Sequence, residues 1–352
     1  MTSVDHRQIE HKFTAVGRYV RYGITMMGDE KKMKHRPTTE PQPSTMVEYH
    51  PLRSEDQNPT TAAYAKLNND AERRAKDCRS AKMPCLTHLG LRDFDNVYEP
   101  SDDTYLLIDA IGTDIDTMEA ERCDQKEHDG NIDNSNVEIT TLEIGCGTGV
   151  PTVYLAMRLR GAGKGNHHQV VAEKKDAANA NNHDNTMVKN STHATHFVTD
   201  INPEAIRITK STAEMNGLPG SDVRAFQCDL ASGILQQLEN KVDILIFNPP
   251  YVPTPDEEVG STGIEASWAG GINGRVVLDR ALPQIARLMA FPQGVAYIVV
   301  VDDNYPEQIA QTMDNNYGIK VIPWLRRRAR NEFLTILKMT TTRKFGSDER
   351  TT

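Results

Sequence analysis

The sequence predicts an α/β fold, a mostly parallel sheet with helices on both faces. Strand and helix patterns alternate from residue 138 to residue 339, a glycine-rich loop follows one apolar strand, and a proline-rich turn ends another. Such alternation is typical of parallel sheets, because a parallel strand pair needs a crossover connection that is usually a helix. The predicted strands are 138–144, 195–199, 223–227, 242–247, 294–301, 320–324 and 333–339, and the predicted helices are 150–159, 203–215, 275–288 and 306–316.

The glycine-rich loop has the sequence Gly-Cys-Gly-Thr-Gly at 145–149 and follows a strand that ends in Glu143-Ile144. Glycines at alternate positions let the main chain turn tightly and approach a ligand closely. The loop lacks the Gly-x-x-Gly ending of dinucleotide sites and the Gly-Lys-Ser/Thr of a phosphate loop. It therefore favours a ligand with a sugar and a cationic or zwitterionic tail over a pyrophosphate.

Two acidic residues follow the next strands. In a β-loop-α-β unit an acidic residue about 20 positions past the glycine loop binds the ribose hydroxyls. Asp200 lies farther away, but removing 161–194 as a surface insertion restores the spacing and puts Asp200 at the carboxyl end of the second strand. Asp229 follows the third strand and is predicted to face the same crevice.

The proline-rich turn is Asn248-Pro249-Pro250-Tyr251, directly after the apolar run 242–247. Proline fixes φ and has no N–H donor, so the backbone must leave the sheet here. The groups left to project are the Asn248 side-chain oxygen, the Pro249 backbone oxygen and the Tyr251 ring. Two acceptors beside a flat aromatic ring predict a substrate with a planar –NH2 group.

These segments in this order resemble class I S-adenosylmethionine-dependent methyltransferases. The stretches 98–104 (Tyr-Glu-Pro-Ser-Asp-Asp-Thr) and 263–275 resemble more closely the HemK-like eukaryotic protein-glutamine methyltransferases that modify the translation termination release factor. The resemblance runs from about Asp95 to Met339. It implies a Rossmann-like sheet of seven strands with the last one antiparallel, S-adenosyl-L-methionine as cofactor, and methylation of a glutamine side-chain amide.

The resemblance also implies residue roles. Thr104, in the first turn of a helix that begins after Ser101, contacts the methionine end of the cofactor, and Asp229 accepts a hydrogen bond from the adenine amino group. The catalytic residues are Asn248, Pro249 and Tyr251, and Pro250 completes the substrate-binding turn. The cofactor-binding residues are Thr104, Glu143, Gly145, Gly147, Asp200, Asp229, Leu230 and Asn248.

A protein partner is expected at the sheet edge. Strand 223–227 alternates apolar and polar residues and is predicted to be an edge strand, and exposed edges pair with strands of other chains. The resemblance implies that the partner is a small zinc-binding methyltransferase activator protein, giving a heterodimer.

Composition excludes several other classes. A net charge of −9 over 352 residues argues against strong nucleic-acid binding through a broad basic surface. Five scattered cysteines without a Cys-x-x-Cys pair predict no disulfide framework and no metal site in the chain itself. No apolar stretch has membrane-spanning length. We expect a cytoplasmic protein, with the nucleus as a second compartment.

The domain prediction has three parts. Residues 1–82 are expected to form a polar, mostly disordered extension, residues 83–340 the methyltransferase domain, and residues 341–352 a polar tail. Surface insertions are expected at about 119–136 and 161–194, and the Arg326-Arg327-Arg328 cluster is expected in a solvated connection between the last two strands.

Other functions fit the same motifs. A planar amino group also occurs on adenine N6, and DNA adenine methyltransferases carry the same proline-rich turn, although a base-extracting enzyme would need a basic surface. Lysine methylation of a histone tail is a second alternative, and a cofactor-binding subunit without catalysis is a third.

Overall fold

The computed structural model describes residues 59–78, 80–129, 138–162, 193–219, 221–260 and 264–342. They form a sheet whose strand order is β3-β2-β1-β4-β5-β7-β6. The strands are β1 Glu138–Ile144, β2 His193–Asp200, β3 Val223–Gln227, β4 Ile244–Phe247, β5 Val295–Val301, β6 Ile319–Ala329 and β7 Glu332–Thr341. The helices are α1 Pro59–Asp77, α2 Asp102–Asp129, α3 Val150–Ala162, α4 Pro203–Met215, α5 Leu235–Leu238, α6 Val276–Leu288 and α7 Pro306–Tyr317.

The topology confirms the predicted fold class. Strands β1 to β5 pair in parallel, and β7 lies antiparallel between β5 and β6. The direction in which successive strands are added to the sheet reverses at β1, because β1 pairs with β2 on one side and with β4 on the other. In doubly wound sheets ligands bind outside the carboxyl ends of the strands at such a reversal. The fold therefore places a binding crevice after β1, β2 and β4.

Two apolar layers cover the sheet, and β5 shows how. All seven residues of Val295–Val301 are buried, as expected for a central strand with helices on both faces. Ala296, Ile298 and Val300 pack into a core cluster with α6 and α7, while the alternate residues of β5 pack into a cluster with α2 and α3. The period of two along a strand assigns each side chain to its layer.

The expectation that residues 1–82 are mostly disordered does not hold for α1. Ala71 is completely buried, and the Arg74 guanidinium donates hydrogen bonds to the Trp324 and Pro323 carbonyls at 2.7 and 2.8 Å. The same guanidinium lies 4.8 Å from the centre of the Trp324 ring. Tyr64, Ala71 and Ala75 form an apolar stripe too sparse for a helical pattern to be read from the sequence. Residues 1–58 lie outside the described residues.

The arginine cluster is also placed differently from the prediction. Arg326 and Arg327 belong to β6, not to a solvated connection. Arg326 is buried and makes a bidentate salt bridge with Asp302, with N–O distances of 2.6 and 2.9 Å. Arg327 forms a salt bridge with the buried Asp109 at 2.9 Å. A guanidinium is tolerated in a strand when carboxylates from other elements satisfy its donors.

The predicted insertions fall only partly within the described residues. Helix α2 continues to Asp129, so the first part of 119–136 extends a helix. Helix α3 ends at Ala162 and β2 begins at His193, and most of 161–194 between them lies outside the described residues, as do 343–352. His196 is a core residue whose ring nitrogen bonds the Thr141 hydroxyl at 2.8 Å, and burial lowers its pKa to about 4. Among the helices described, none has the length and apolarity to span a bilayer.

Candidate active site

A pocket opens at the carboxyl ends of β1, β2 and β4, where the strand order reverses. The structure brings residues that are far apart in the sequence to this pocket. All eight predicted cofactor-binding residues line it, namely Thr104, Glu143, Gly145, Gly147, Asp200, Asp229, Leu230 and Asn248. Pro250 of the proline-rich turn lines it as well.

The glycine loop has a conformation that only glycine adopts easily. Gly145, Gly147 and Gly149 have φ values of +67°, +51° and +76°. A side chain at Gly149 would also bring its Cβ to 3.0 Å from the Thr209 Cα on α4. The loop therefore presents bare main chain to the pocket and packs tightly against α4.

Asp200 ties the glycine loop to β2. One carboxylate oxygen accepts from the Gly147 N–H at 3.0 Å, and the other accepts from the Asn202 N–H at 2.9 Å. Burial raises the pKa of Asp200 above its ordinary value. Each carboxylate oxygen has a second acceptor site, so the group can still bind a pair of ligand hydroxyls.

Glu143 lines the pocket, but its carboxylate is engaged with the protein. It accepts hydrogen bonds from the Thr152 N–H at 3.0 Å and from the Thr152 hydroxyl. Thr152 lies in the first turn of α3, where main-chain N–H groups lack helical partners and favour an acidic group. Burial raises the pKa of Glu143 to about 8. Glu143 therefore joins the end of β1 to the helix that follows the loop.

Asp229 and Leu230 line the pocket after β3. The Asp229 carboxylate pairs with the Arg280 guanidinium of α6, and both side chains are about half exposed, at 49% and 51%. Leu230 is buried and has a left-handed φ of +52°. Arg280 also lines the pocket and was missed by the sequence reasoning, because no motif includes it.

Asn248 presents one unpaired acceptor. Its side-chain N–H group donates to an Asp103 carboxylate oxygen at 3.1 Å. Its side-chain oxygen is buried and has no hydrogen-bond partner among the described residues. A carboxylate only accepts, so pairing with Asp103 fixes which end of the amide is the nitrogen. The free end is an acceptor, and a buried acceptor without a donor is costly unless a ligand supplies one.

Asp103 is a second site residue that the sequence motifs did not reveal, since it was assigned only to the start of a helix. It is 3% exposed. The oxygen that holds Asn248 also accepts from the Tyr251 hydroxyl at 3.3 Å, and the other accepts from the Thr104 N–H at 2.6 Å. Burial, with a further contribution from the Asp103 charge, raises the pKa of Tyr251 far above its ordinary value, so its phenol stays neutral. The signal available in the sequence was the place of Asp103 within the 98–104 motif, next to Thr104.

No family model matches the chain. Individual relatives do. The chain is 38% identical over 259 residues to Methyltransferase HEMK2 of Mus musculus, an alignment covering 74% of this chain and 96% of that protein. The chain belongs to the HEMK2 family of methyltransferases. The Homo sapiens HEMK2 is 37% identical over 257 residues, covering 73% of this chain and 95% of that protein.

Two further proteins that are similar to this chain carry the name Mtq2. The eRF1 methyltransferase catalytic subunit mtq2 of Schizosaccharomyces pombe is 32% identical over 260 residues, covering 73% of this chain and 94% of that protein. A solved structure of the E. cuniculi Mtq2–Trm112 complex, described as methylating the eRF1 translation termination factor, matches 70% of this chain and 99% of that chain at 22% identity and a TM-score of 0.41.

Proposed function

We propose that this HEMK2-family enzyme transfers a methyl group from S-adenosylmethionine to the side-chain amide nitrogen of a glutamine in the translation termination release factor. The observation that carries the proposal is the buried Asn248 oxygen, unpaired among the described residues, at a pocket that also contains the glycine loop. The S. pombe relative, named an eRF1 methyltransferase catalytic subunit, supports the choice of substrate.

The residues of the pocket suit the cofactor. The positive-φ glycines bring bare main chain to the pocket, as close approach to a ligand requires. Asp200 retains acceptor capacity for a ribose diol. Ile201, Leu230 and Val277 add apolar surface beside Asp229, a suitable lining for a purine. When bound, S-adenosylmethionine supplies a methyl group that its sulfonium has already activated.

The substrate end of the pocket, at the Asn248–Tyr251 turn, must orient an amide nitrogen for attack on the methyl group. An amide nitrogen is a poor nucleophile, because its lone pair is delocalised into the carbonyl. We expect the Asn248 side-chain oxygen, which lines the pocket, to accept a hydrogen bond from one N–H of the amide, and the sequence-based expectation assigns the other N–H to the main-chain oxygen of Pro249, which is not among the lining residues. Formation of the new C–N bond would be matched by cleavage of the methyl–sulfur bond of the donor, and the nitrogen, which gains positive charge, would release one of its protons to solvent. Acceptors already in place stabilise that charge without reorganising. Asp103 holds the Asn248 amide in one orientation, and the neutral Tyr251 hydroxyl donates to the same Asp103 oxygen.

The test compares three substrates in parallel with labelled S-adenosylmethionine: release factor, histone and DNA. We expect label in release factor only, and mass spectrometry of its digest should find methylglutamine. Methyllysine in histone without methylglutamine would establish the lysine alternative, and methyladenine in DNA the nucleic-acid alternative. No transfer to any of the three by the purified heterodimer would contradict the proposal.

We further propose that the enzyme works as a heterodimer with a small zinc-binding activator protein that pairs with β3. Within the described residues, β3 is an outer strand of the sheet, and the opposite outer strand β6 is covered by α1. His196 N–H donates to the Asp222 carbonyl and Cys228 N–H to the Asp200 carbonyl, so the even-numbered residues of this strand face β2. Because successive residues of a strand point their N–H groups to opposite sides, the Ala225 N–H points away from β2. A main-chain carbonyl of an added strand would accept a hydrogen bond from it there.

Ala225→Pro removes that outward N–H, and Ala225→Thr keeps it. Edge strands tolerate proline, so both variants should fold. We expect co-purification of the activator to be lost with proline and kept with threonine. A proline variant that still co-purifies in a one-to-one complex would contradict pairing at β3, and wild-type chain that is equally soluble and active alone would contradict the heterodimer.

A further inference from the structure

Asn304 is a buried asparagine outside the pocket that contacts the proline-rich turn. It ends the short helical turn Asp302–Asn304 that follows β5, and its exposed fraction is 0%. Its side-chain oxygen accepts from the Val301 N–H at 2.8 Å. Its side-chain nitrogen donates to the Tyr251 carbonyl at 2.9 Å and to the Asn273 carbonyl at 2.8 Å. One carboxamide therefore joins three segments.

The loop that carries Asn273 is packed closely against this junction. Gly274 has a φ of +64°, and a Cβ there would lie 1.9 Å from the Tyr251 carbonyl oxygen and 2.5 Å from the Asn304 side-chain nitrogen. The Arg275 guanidinium donates to the Asn304 main-chain carbonyl at 2.9 Å and pairs with Asp279. The main chain of this loop and that of Tyr251 are thus held together with no room for a side chain between them.

We propose that Asn304 is a positioning residue for methyl transfer, which fixes the main chain of the Asn248–Tyr251 turn. The inference rests on the proposed function. One acceptor and two donors are needed at this point, and a carboxamide supplies that set. Asn304 acts through Tyr251, whose hydroxyl meets Asp103 beside Asn248. A displacement of about 1 Å in a catalytic group can cost ~10²-fold in rate.

Asn304→Asp tests the junction with almost no change in volume. Aspartate keeps the acceptor for Val301, removes both donors, and sets negative charge against two carbonyl oxygens. We expect kcat to fall about 10- to 100-fold, while the Kd for S-adenosylmethionine stays unchanged, because Asn304 does not line the pocket. We also expect faster amide hydrogen exchange in peptides covering 250–256 and 268–276, but not in the glycine loop.

The matched control is Leu238→Ala, a buried position on α5 outside the pocket lining. It should lower Tm without lowering kcat. A wild-type kcat in Asn304→Asp would overturn the proposal. So would a loss of kcat with unchanged amide hydrogen exchange, or an equal loss of kcat in Leu238→Ala at a similar Tm.

Arg275→Lys is the second variant if Asn304→Asp fails to fold. It removes the hydrogen bond to the Asn304 carbonyl and should show the same pattern more weakly. Wild-type kcat and wild-type amide exchange in Arg275→Lys would count against the junction.

The failure of this inference can be told apart from that of the proposed function. Wild-type enzyme that forms no methylglutamine would contradict the proposed function. The hydrogen-exchange comparison needs no substrate, so it would still decide whether Asn304 holds the two segments together.

Discussion

The two ends of the pocket are built in different ways. At the cofactor end, the glycine loop takes its shape from main-chain conformation, and the acidic residues that brace it bond main-chain N–H groups: Asp200 bonds Gly147 and Asn202, and Glu143 bonds Thr152. At the substrate end, Asn248 is oriented by Asp103, which is 145 residues away in the sequence. The first end is specified by short motifs, and the second depends on side chains that only the fold brings together. Substitutions at the two ends should therefore have separable effects on cofactor affinity and on turnover.

The largest effect is expected from Asn248→Ala. It removes the unpaired acceptor and leaves the glycine loop and Asp200 untouched. Loss of one such preorganised hydrogen bond costs about 10²–10³ in kcat. Single-turnover methylation should show this loss, while titration with S-adenosylmethionine should show that the variant still binds the cofactor. Turnover equal to wild type would refute the role of Asn248.

Asp103→Asn should have the next largest effect. The substitution weakens the acceptor for the Asn248 N–H and the Tyr251 hydroxyl, so the Asn248 amide is no longer forced into one orientation. A hydrogen bond to a charged group is worth about 1.5–3 kcal/mol, which predicts a fall in kcat of about 10- to 100-fold. Asp102→Asn is the matched control, because Asp102 is exposed on the same helical turn. A similar loss in both variants would point to a helix-start effect instead.

At the cofactor end, Asp200→Asn should change affinity and spare turnover. An amide has one acceptor oxygen where the carboxylate has two, so either the Gly147 N–H or the ligand diol loses a partner. Loss of one hydrogen bond with a net worth of about 1.4 kcal/mol predicts a rise in the Kd for S-adenosylmethionine of about 10-fold. The kcat at saturating S-adenosylmethionine should be unchanged. Asp229→Asn should raise the Kd less, because its half-exposed pair with Arg280 is screened by solvent. The reverse order would show that the cofactor depends on β3 more than on β2.

The last prediction concerns stability rather than catalysis, and it depends on pH. Burial raises the pKa of Glu143 from an ordinary 4.5 to about 8, so the folded state holds a proton that the unfolded state releases. This contribution to stability is complete below pH 4.5 and is lost as the pH rises through 8. Glu143→Gln, which stays neutral, should flatten the decline of Tm between pH 5 and 8. Glu214→Gln, at an exposed position on α4, should follow the wild-type curve. Parallel curves for wild type and Glu143→Gln would show that Glu143 is ionised in the folded protein.

The sequence predicted the architecture well where periodicity was strong. Predicted strands 138–144 and 223–227 and predicted helix 203–215 coincide with β1, β3 and α4. It failed for α1, because that helix buries few side chains and depends on Arg74 reaching β6 for its packing. It also failed for Arg326, where the sequence shows a basic run and only the fold shows Asp302 and Glu72 beside it.

The residues of the candidate site also differ in whether the sequence could predict them. The glycines, prolines and strand-end acidic residues of the site were found, because their positions have local conformational causes. Asp103, Arg280 and Asn304 were not, because each acts through a partner at least 51 residues away.

The sequence by itself determined the succession of strands and of the helices between them from β1 onward, apart from the short α5, as well as the glycine loop and the turn that ends β4, since each follows from φ preferences and hydrophobic periodicity over a few residues. Only the tertiary structure decided that Asp103 orients Asn248, that Asn304 holds Tyr251 to the Asn273 loop, and that α1 covers the β6 edge of the sheet. Those contacts join distant segments through side-chain geometry, and local preferences carry no information about which distant side chains meet.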